Sequence, residues 1–329
     1  MTDNLLYFPY INVPKTTWTT ISVLYWNEVN AIVPDLYKDR PNRLEENMRQ
    51  LVEAGLVTQV FPYEYVCRIP NFDLAFLNLI STEDFDLPAK QSAFRQGKVS
   101  RIHVQKFSEN LLGELEERQI VRRENWEWYY VEQHTARLFM TYLATVISKA
   151  EGFTPATDKS RNIDFSLNEN RFSHYRLATR NKFLNDLMPY PITANPYSLR
   201  DFKEIYQDQL RLFRNKLEQI IIEITNIQDK ETREIYYQLK LKEVLERRDE
   251  IFARLDEFNI GKIVFGTIFG LAAAGIGFDA GHPLLGSLAF GNAVYSALEG
   301  YDRHDITRGD FAYLALIDKK FGMPGRRLQ

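Results

Sequence analysis

YSLRDFKEIYQDQLRLFRNKLEQIIIEITNIQDKETREIYYQLKLKEVLERRDEIFARLDEFNI, residues 197–260, runs for 64 residues without a glycine or a proline. Those two residues punctuate most globular chains, so a charge-rich stretch this long without them reads as long helix. Its apolar residues keep step. Leu199, Phe202, Tyr206, Leu210, Phe213, Leu217, Ile220, Ile224 and Ile227 follow one another at intervals of three or four. A seam of that kind sustained over four heptads favours a coiled coil. Carrying the register on gives Glu231, Glu234 and Gln238, then Leu241, Leu245, Arg248, Phe252 and Leu255, so the seam is polar in its middle. Two shapes satisfy it: a single helix about 95 Å long at 1.5 Å per residue, or a helical hairpin turning near Gln228-Asp229-Lys230. The polar gap favours the hairpin, whose arms can bury each other's seams.

The next forty residues reverse the composition. Gly261 to Gly300 hold nine of the sixteen glycines, in two uncharged runs, Ile263 to Phe278 and Pro283 to Leu298. Gly266 with Gly270, and Gly277 with Gly281, are small residues at the spacing that lets helix backbones approach closely, and Gly286 is expected to be a further helix-packing glycine. Each run is shorter than the ~20 residues of a spanning helix. A packed Gly-rich helical hairpin is the favoured reading, with a membrane-inserting hairpin over 263–298 as the alternative.

Upstream of residue 197 the pattern is mixed α/β. Leu5 to Val13 reads as a strand with Pro9 at an edge or bulge. Trp18, Ile21, Tyr25, Val29 and Ile32 predict one helix over Thr16 to Val33. A second helix over Arg43 to Ala54 has Gly55 beyond its end, and short strands follow at Leu56 to Phe61 and Tyr65 to Ile69. Leu51 to Val57 is echoed by Leu115 to Val121, which suggests a duplicated module or, more simply, two helices entering sheets the same way. His134 to Lys149 is apolar over most of its circumference and is expected to be an enclosed helix ended by Gly152. Pro189, Pro191 and Pro196 close an irregular stretch. The expected architecture is therefore α-rich α+β: a mixed α/β domain over 1–196, a coiled-coil helix or hairpin over 197–260, and a Gly/Ala-rich hairpin with a C-terminal helix over 261–329.

Composition bounds the chemistry. A net charge of −3 gives no global attraction to nucleic acid or anionic membrane. The single cysteine, Cys67, excludes an intramolecular disulfide and fits a reducing compartment. The first residues lack the basic and apolar regions of a signal peptide, so a cytoplasmic protein is expected, with a place at the inner-membrane surface as the alternative. No phosphate loop, nucleophile elbow, zinc helix or C-x-x-C motif occurs, and the five histidines are scattered singly, so no catalytic residue, cofactor or metal is expected. His134 is read as a structural histidine, and Asp84 and Asp86 as loop or cap residues rather than a metal pair.

Two stretches are locally basic. Lys90, Arg95, Lys98, Arg101 and Lys106 occur without an acid between Leu87 and Ser108, and Arg171, Arg176, Arg180 and Lys182 without one between Asn170 and Asn185. Cations can neutralise phosphates and interleaved aromatics can stack on bases, which makes both runs candidate nucleic-acid or nucleotide contacts. The plainer reading is a solvated surface balanced by acids elsewhere.

Several segments together resemble an uncharacterised bacterial family known only as a domain of unknown function. They are Tyr7-Phe8-Pro9-Tyr10, the helix carrying Trp18, Tyr25 and Trp26, the His134 to Ala144 helix, Thr157-Asp158, Leu187-Met188-Pro189, Phe202, and Leu210-Arg211-Leu212-Phe213-Arg214. The resemblance implies a bacterial cytoplasmic origin and, through association with mobile elements, antiviral (phage) defence; it transfers no catalytic residue. The expectation is a non-catalytic interaction or assembly protein that binds a protein partner or itself. The alternatives are a membrane-acting effector and a nucleic-acid- or nucleotide-binding protein. No small-molecule substrate is identified.

Overall fold

A computed structural model of the chain describes residues 4–82, 85–158, 171–188, 195–257 and 310–321. The protein is α-rich α+β, with one parallel and one antiparallel sheet. Two compact units divide it: residues 1–166 with 195–200, and residues 167–194 with 201–329. The expected Gly-rich hairpin and its glycines lie outside the described residues.

The first unit begins with β1 (Asn4–Tyr7), α1 (Thr17–Tyr25), β2 (Glu28–Ile32), α2 (Glu46–Glu53) and β3 (Val57–Val60). Then come α3 (Pro62–Arg68), α4 (Phe72–Leu79), α5 (Leu87–Arg95), β4 (Val99–His103), α6 (Glu109–Glu117), β5 (Val121–Arg123) and β6 (Trp128–Glu132). It ends with α7 (Gln133–Glu151) and β7 (Thr154–Ala156). The four parallel strands pair in the order β3-β2-β1-β7. A three-stranded antiparallel sheet, β4-β6-β5, forms from the long excursion between β3 and α7. Helix α7 lies against strands of both sheets and carries the shared core, where Phe139 stacks on Phe107 at 4.2 Å and meets Phe72 and Phe76 edge-on. Its first turn is closed by Glu132, whose carboxylate accepts from the backbone of His134 and Thr135 and from the Thr135 hydroxyl.

Three sequence expectations are corrected here. The Thr16 to Val33 helix stops at Tyr25, and Glu28 to Ile32 is the second strand of the parallel sheet. All but the first residue of β2 are buried, and a strand covered on both faces has no alternation to distinguish it from a helix. Likewise Tyr65 to Ile69 is not a strand. Tyr65 to Arg68 belong to α3, which Pro62 starts by occupying the first helical turn, where its missing N–H costs nothing. The first strand is also shorter than Leu5 to Val13, ending at Tyr7.

The internal echo has a local cause. Gly55 and Gln119 both take the left-handed conformation, φ 70° and 56°, and in both copies the next residue bonds back to a leucine in the last turn of the helix, Leu56 to Leu51 and Ile120 to Leu115. The strands that follow differ: β3 joins the parallel sheet and β5 the antiparallel one. A shared helix-exit geometry therefore accounts for the likeness, without a duplicated module.

The second unit is helical. Its elements are α8 (Arg171–Leu187), the end of α9 (Pro196–Ile205), α10 (Gln207–Asn226), α11 (Lys230–Glu257) and α12 (Ala312–Phe321). The 197–257 stretch is three helices, broken at Tyr206 and again between Asn226 and Lys230. Across the second break the Tyr236 hydroxyl donates to Glu223 at 2.8 Å. Thirteen residues along one straight helix would be about 20 Å apart, so the chain reverses there as the polar gap anticipated. Asp229 starts α11 by accepting from the Thr232 backbone at 2.6 Å.

Candidate ligand site at the carboxyl edge of the parallel sheet

Strand β1 is where the parallel sheet changes direction of growth. Its neighbour on one side, β2, is next in sequence, and its neighbour on the other, β7, arrives about 150 residues later. In open parallel sheets such a switch point leaves the loops beyond the carboxyl ends of the strands splayed, and ligands are taken there. What occupies that edge here is chemically unusual.

Beyond β1 and β7, the Tyr7 hydroxyl donates to Asp158 at 3.1 Å, and the Tyr7 ring packs on Trp18 with centroids 5.2 Å apart. Burial first, and then the Asp158 charge, push the Tyr7 phenol well above its ordinary range. Two residues on, the Pro9 carbonyl accepts from Lys106 Nζ at 3.3 Å. Lys106 is only 3% exposed. It closes a 3-10 turn, Val104 to Lys106, that follows β4 and is fastened across the parallel sheet's edge. Gln105 accepts from the Leu36 backbone at 3.0 Å in the loop after β2, and the Val104 N–H donates to the Glu127 carbonyl.

Among the described residues no carboxylate forms an ion pair with Lys106. Desolvation alone acts on its ammonium and brings it down to about 7. Beside it His103 is 1% exposed. Its Nδ1 accepts from the Gln105 backbone at 3.3 Å, which leaves the proton on Nε2, and Nε2 is buried without a hydrogen-bond partner among the described residues. Burial and then the Lys106 charge hold the imidazole down at about 4. The ring is fixed edge-on between Tyr37 and Trp128. Asp35, in the loop after β2, also has a buried oxygen without a partner, and burial raises its carboxyl.

Orphaned donors of this kind are costly unless something satisfies them. A cation with no counter-charge and an imidazole N–H with no acceptor, gathered at a switch point, make a site electrostatically incomplete.

The residues singled out from sequence separate into three groups. In the seam, Leu199, Phe202, Leu210, Phe213, Leu217, Ile220 and Ile224 are buried, and Tyr206 and Ile227 are partly so. The partners of α10 are α8, α11 and α12; the Tyr313 ring of α12 lies within 5.9 Å of both Phe202 and Phe213. The continued register does not survive the turn: α11 buries Tyr237 and Val244, while Leu241 and Leu245 are half-buried. Among the cations, Lys106 and Arg180 are corrected from surface contacts to internal groups. Arg180 is buried and donates to the two Glu218 carboxylate oxygens from Nε and Nη2. Arg95, Lys98 and Arg101 are exposed, and Arg101 pairs with Glu124 at 2.6 Å. Arg171 and Arg176 lie on α8, and the Arg176 side chain is engaged with its neighbours. The third group, Gly266, Gly270, Gly277, Gly281 and Gly286, lies outside the described residues.

Asp86 caps α5 by accepting from Ala89 at 3.2 Å, in keeping with its reading as a cap. Sequence reasoning missed His103, and it placed Lys106 only within a charge run; nothing local marks either as buried. No group of three potential metal ligands occurs among the described residues, and no helix among them is long and apolar enough to cross a membrane. Comparison with protein-family models, with curated proteins and with solved structures finds no match to the chain.

Proposed function

We propose that this chain is a non-catalytic binding and assembly protein, whose first unit takes a small phosphate- or carboxylate-bearing molecule at the carboxyl edge of its parallel sheet. The observation that carries the reading is Lys106, a buried ammonium at a switch point with a backbone carbonyl and no acid against it. An anion placed there supplies the missing charge and gives the His103 N–H an acceptor. The helical unit serves assembly in this reading, with the α10–α11 pair as the arm.

Isothermal titration with inorganic phosphate, ADP and succinate tests the proposal. At least one should bind with a stoichiometry of one. Its affinity should fall roughly tenfold per pH unit above about 7, because binding then requires the amine to take up a proton. Lys106→Met should abolish it. Silence of the folded wild type toward all three, or unchanged binding by Lys106→Met, would sink the proposal.

A further inference from the structure

The antiparallel sheet carries a second feature, on its outer row. Arg101 of β4, Tyr130 of β6 and Arg122 of β5 stand directly opposite one another across the three strands. Cross-strand partners project from the same face, and Trp128, two residues from Tyr130, shares it. The guanidinium of Arg101 lies 4.8 Å from the Trp128 ring and that of Arg122 lies 5.7 Å from the Tyr130 ring. The opposite face, with Ile102, Tyr129 and Val131, is buried in the core. Arg101 and Arg122 are exposed. One acid is set into this row. Glu124 accepts from Arg101 at 2.6 Å and from the Tyr130 hydroxyl at 2.8 Å, fixing both side chains.

We propose that this row is a docking surface for single-stranded nucleic acid. Its charge suits phosphates, and its flat planes suit bases: aromatic rings and guanidinium groups both stack on unpaired bases, and a sheet presents them in a line. A duplex hides its base faces and would use the cations alone. An acidic protein segment would likewise leave the tryptophan and tyrosine planes without a role. Glu124 is a brake within the surface, repelling phosphate while it orders Arg101. The row is distinct from the Lys106 ammonium but adjoins that site, because Trp128 packs edge-on against His103.

Fluorescence anisotropy of the full-length protein with labelled oligo-dT and oligo-U, each of about 15 nucleotides in about 50 mM salt, decides the matter. Saturable binding is expected, weakening steeply as salt rises, with a duplex of the same length bound more weakly. The double variant Arg101→Ala, Arg122→Ala and the single variant Tyr130→Ala should each lose roughly tenfold or more. Glu124→Gln should gain several-fold, and this opposite sign cannot arise from misfolding. No rise in anisotropy for either wild type or Glu124→Gln would overturn the proposal. So would equal affinity for duplex together with unchanged binding by Tyr130→Ala.

Discussion

Lys106 shows how a single side chain records its surroundings. In an unfolded chain its amine stays charged up to its ordinary value of 10.5, whereas in the folded protein it gives up its proton near 7. Between those values the unfolded state holds one more proton, so stability rises with pH across that window and is lowest below about 7, where the buried amine is charged. His103 acts in the same direction at lower pH. Its folded value lies near 4 against an ordinary 6.5, so the stability it contributes is lost as pH falls through that range. Lys106→Met removes the buried charge and keeps most of the stem's packing. The variant should be more stable than wild type by a few kcal/mol at about pH 6, with the difference shrinking toward about pH 9. Urea midpoints at the two pH values measure this. A wild type whose midpoint is the same at both, matched by the variant, would refute the assignment. In the sequence Lys106 is one of five cations in a basic run, indistinguishable from Lys98. Burial is a property of what other segments bring, here Pro9, which lies 97 residues away in sequence.

Helix ends and helix faces were the most legible elements. Gly55 was recognisable as a helix stop because glycine reaches left-handed backbone without strain, and it does so at φ 70°. Gln119, with no such signal, adopts the same conformation at φ 56°. The two positions should therefore respond oppositely. A side chain added at Gly55 meets nothing within 4 Å, so Gly55→Gln should cost about 1 kcal/mol through backbone strain alone. Gln119→Gly should be stabilising by up to about 0.5 kcal/mol, once the added flexibility of the unfolded chain is offset. Thermal melts of the two variants moving in the same direction would contradict the shared exit geometry. The seam of α10 was equally legible, since its interval of three and four residues places one face inward whatever packs against it. Its partners were not. Phe213 is fully buried beside Tyr313, about a hundred residues away, and Phe213→Asp should cost several kcal/mol by leaving a charge unpaired among rings. A melting point within a few degrees of wild type would mean that this face is not buried.

The whole chain contains two compact units, and its unfolding should reflect that. Scanning calorimetry should depart from a single two-state transition, with a calorimetric enthalpy exceeding the van't Hoff value. Phe213→Asp should move the component belonging to the helical unit, and Lys106→Met the component belonging to the first. One two-state transition, shifted equally by both variants, would show the units to be a single cooperative body. Local sequence was sufficient for the enclosed α7 and the α-rich α+β class, and it favoured a turn near Asp229 without deciding between one helix and a hairpin, because helix period, caps and breakers act over a few residues. It misread Glu28 to Ile32, since a strand buried on both faces carries no alternation and its identity comes from hydrogen bonds to β1 and β3. The site lay further out of reach. Strand order, the meeting of Pro9 with Lys106 across 97 residues and the row of Arg101, Tyr130 and Arg122 all arise from pairing between distant segments. Desolvation and charge pairing depend on the distance between side chains in space, and that distance was set when the sheets assembled.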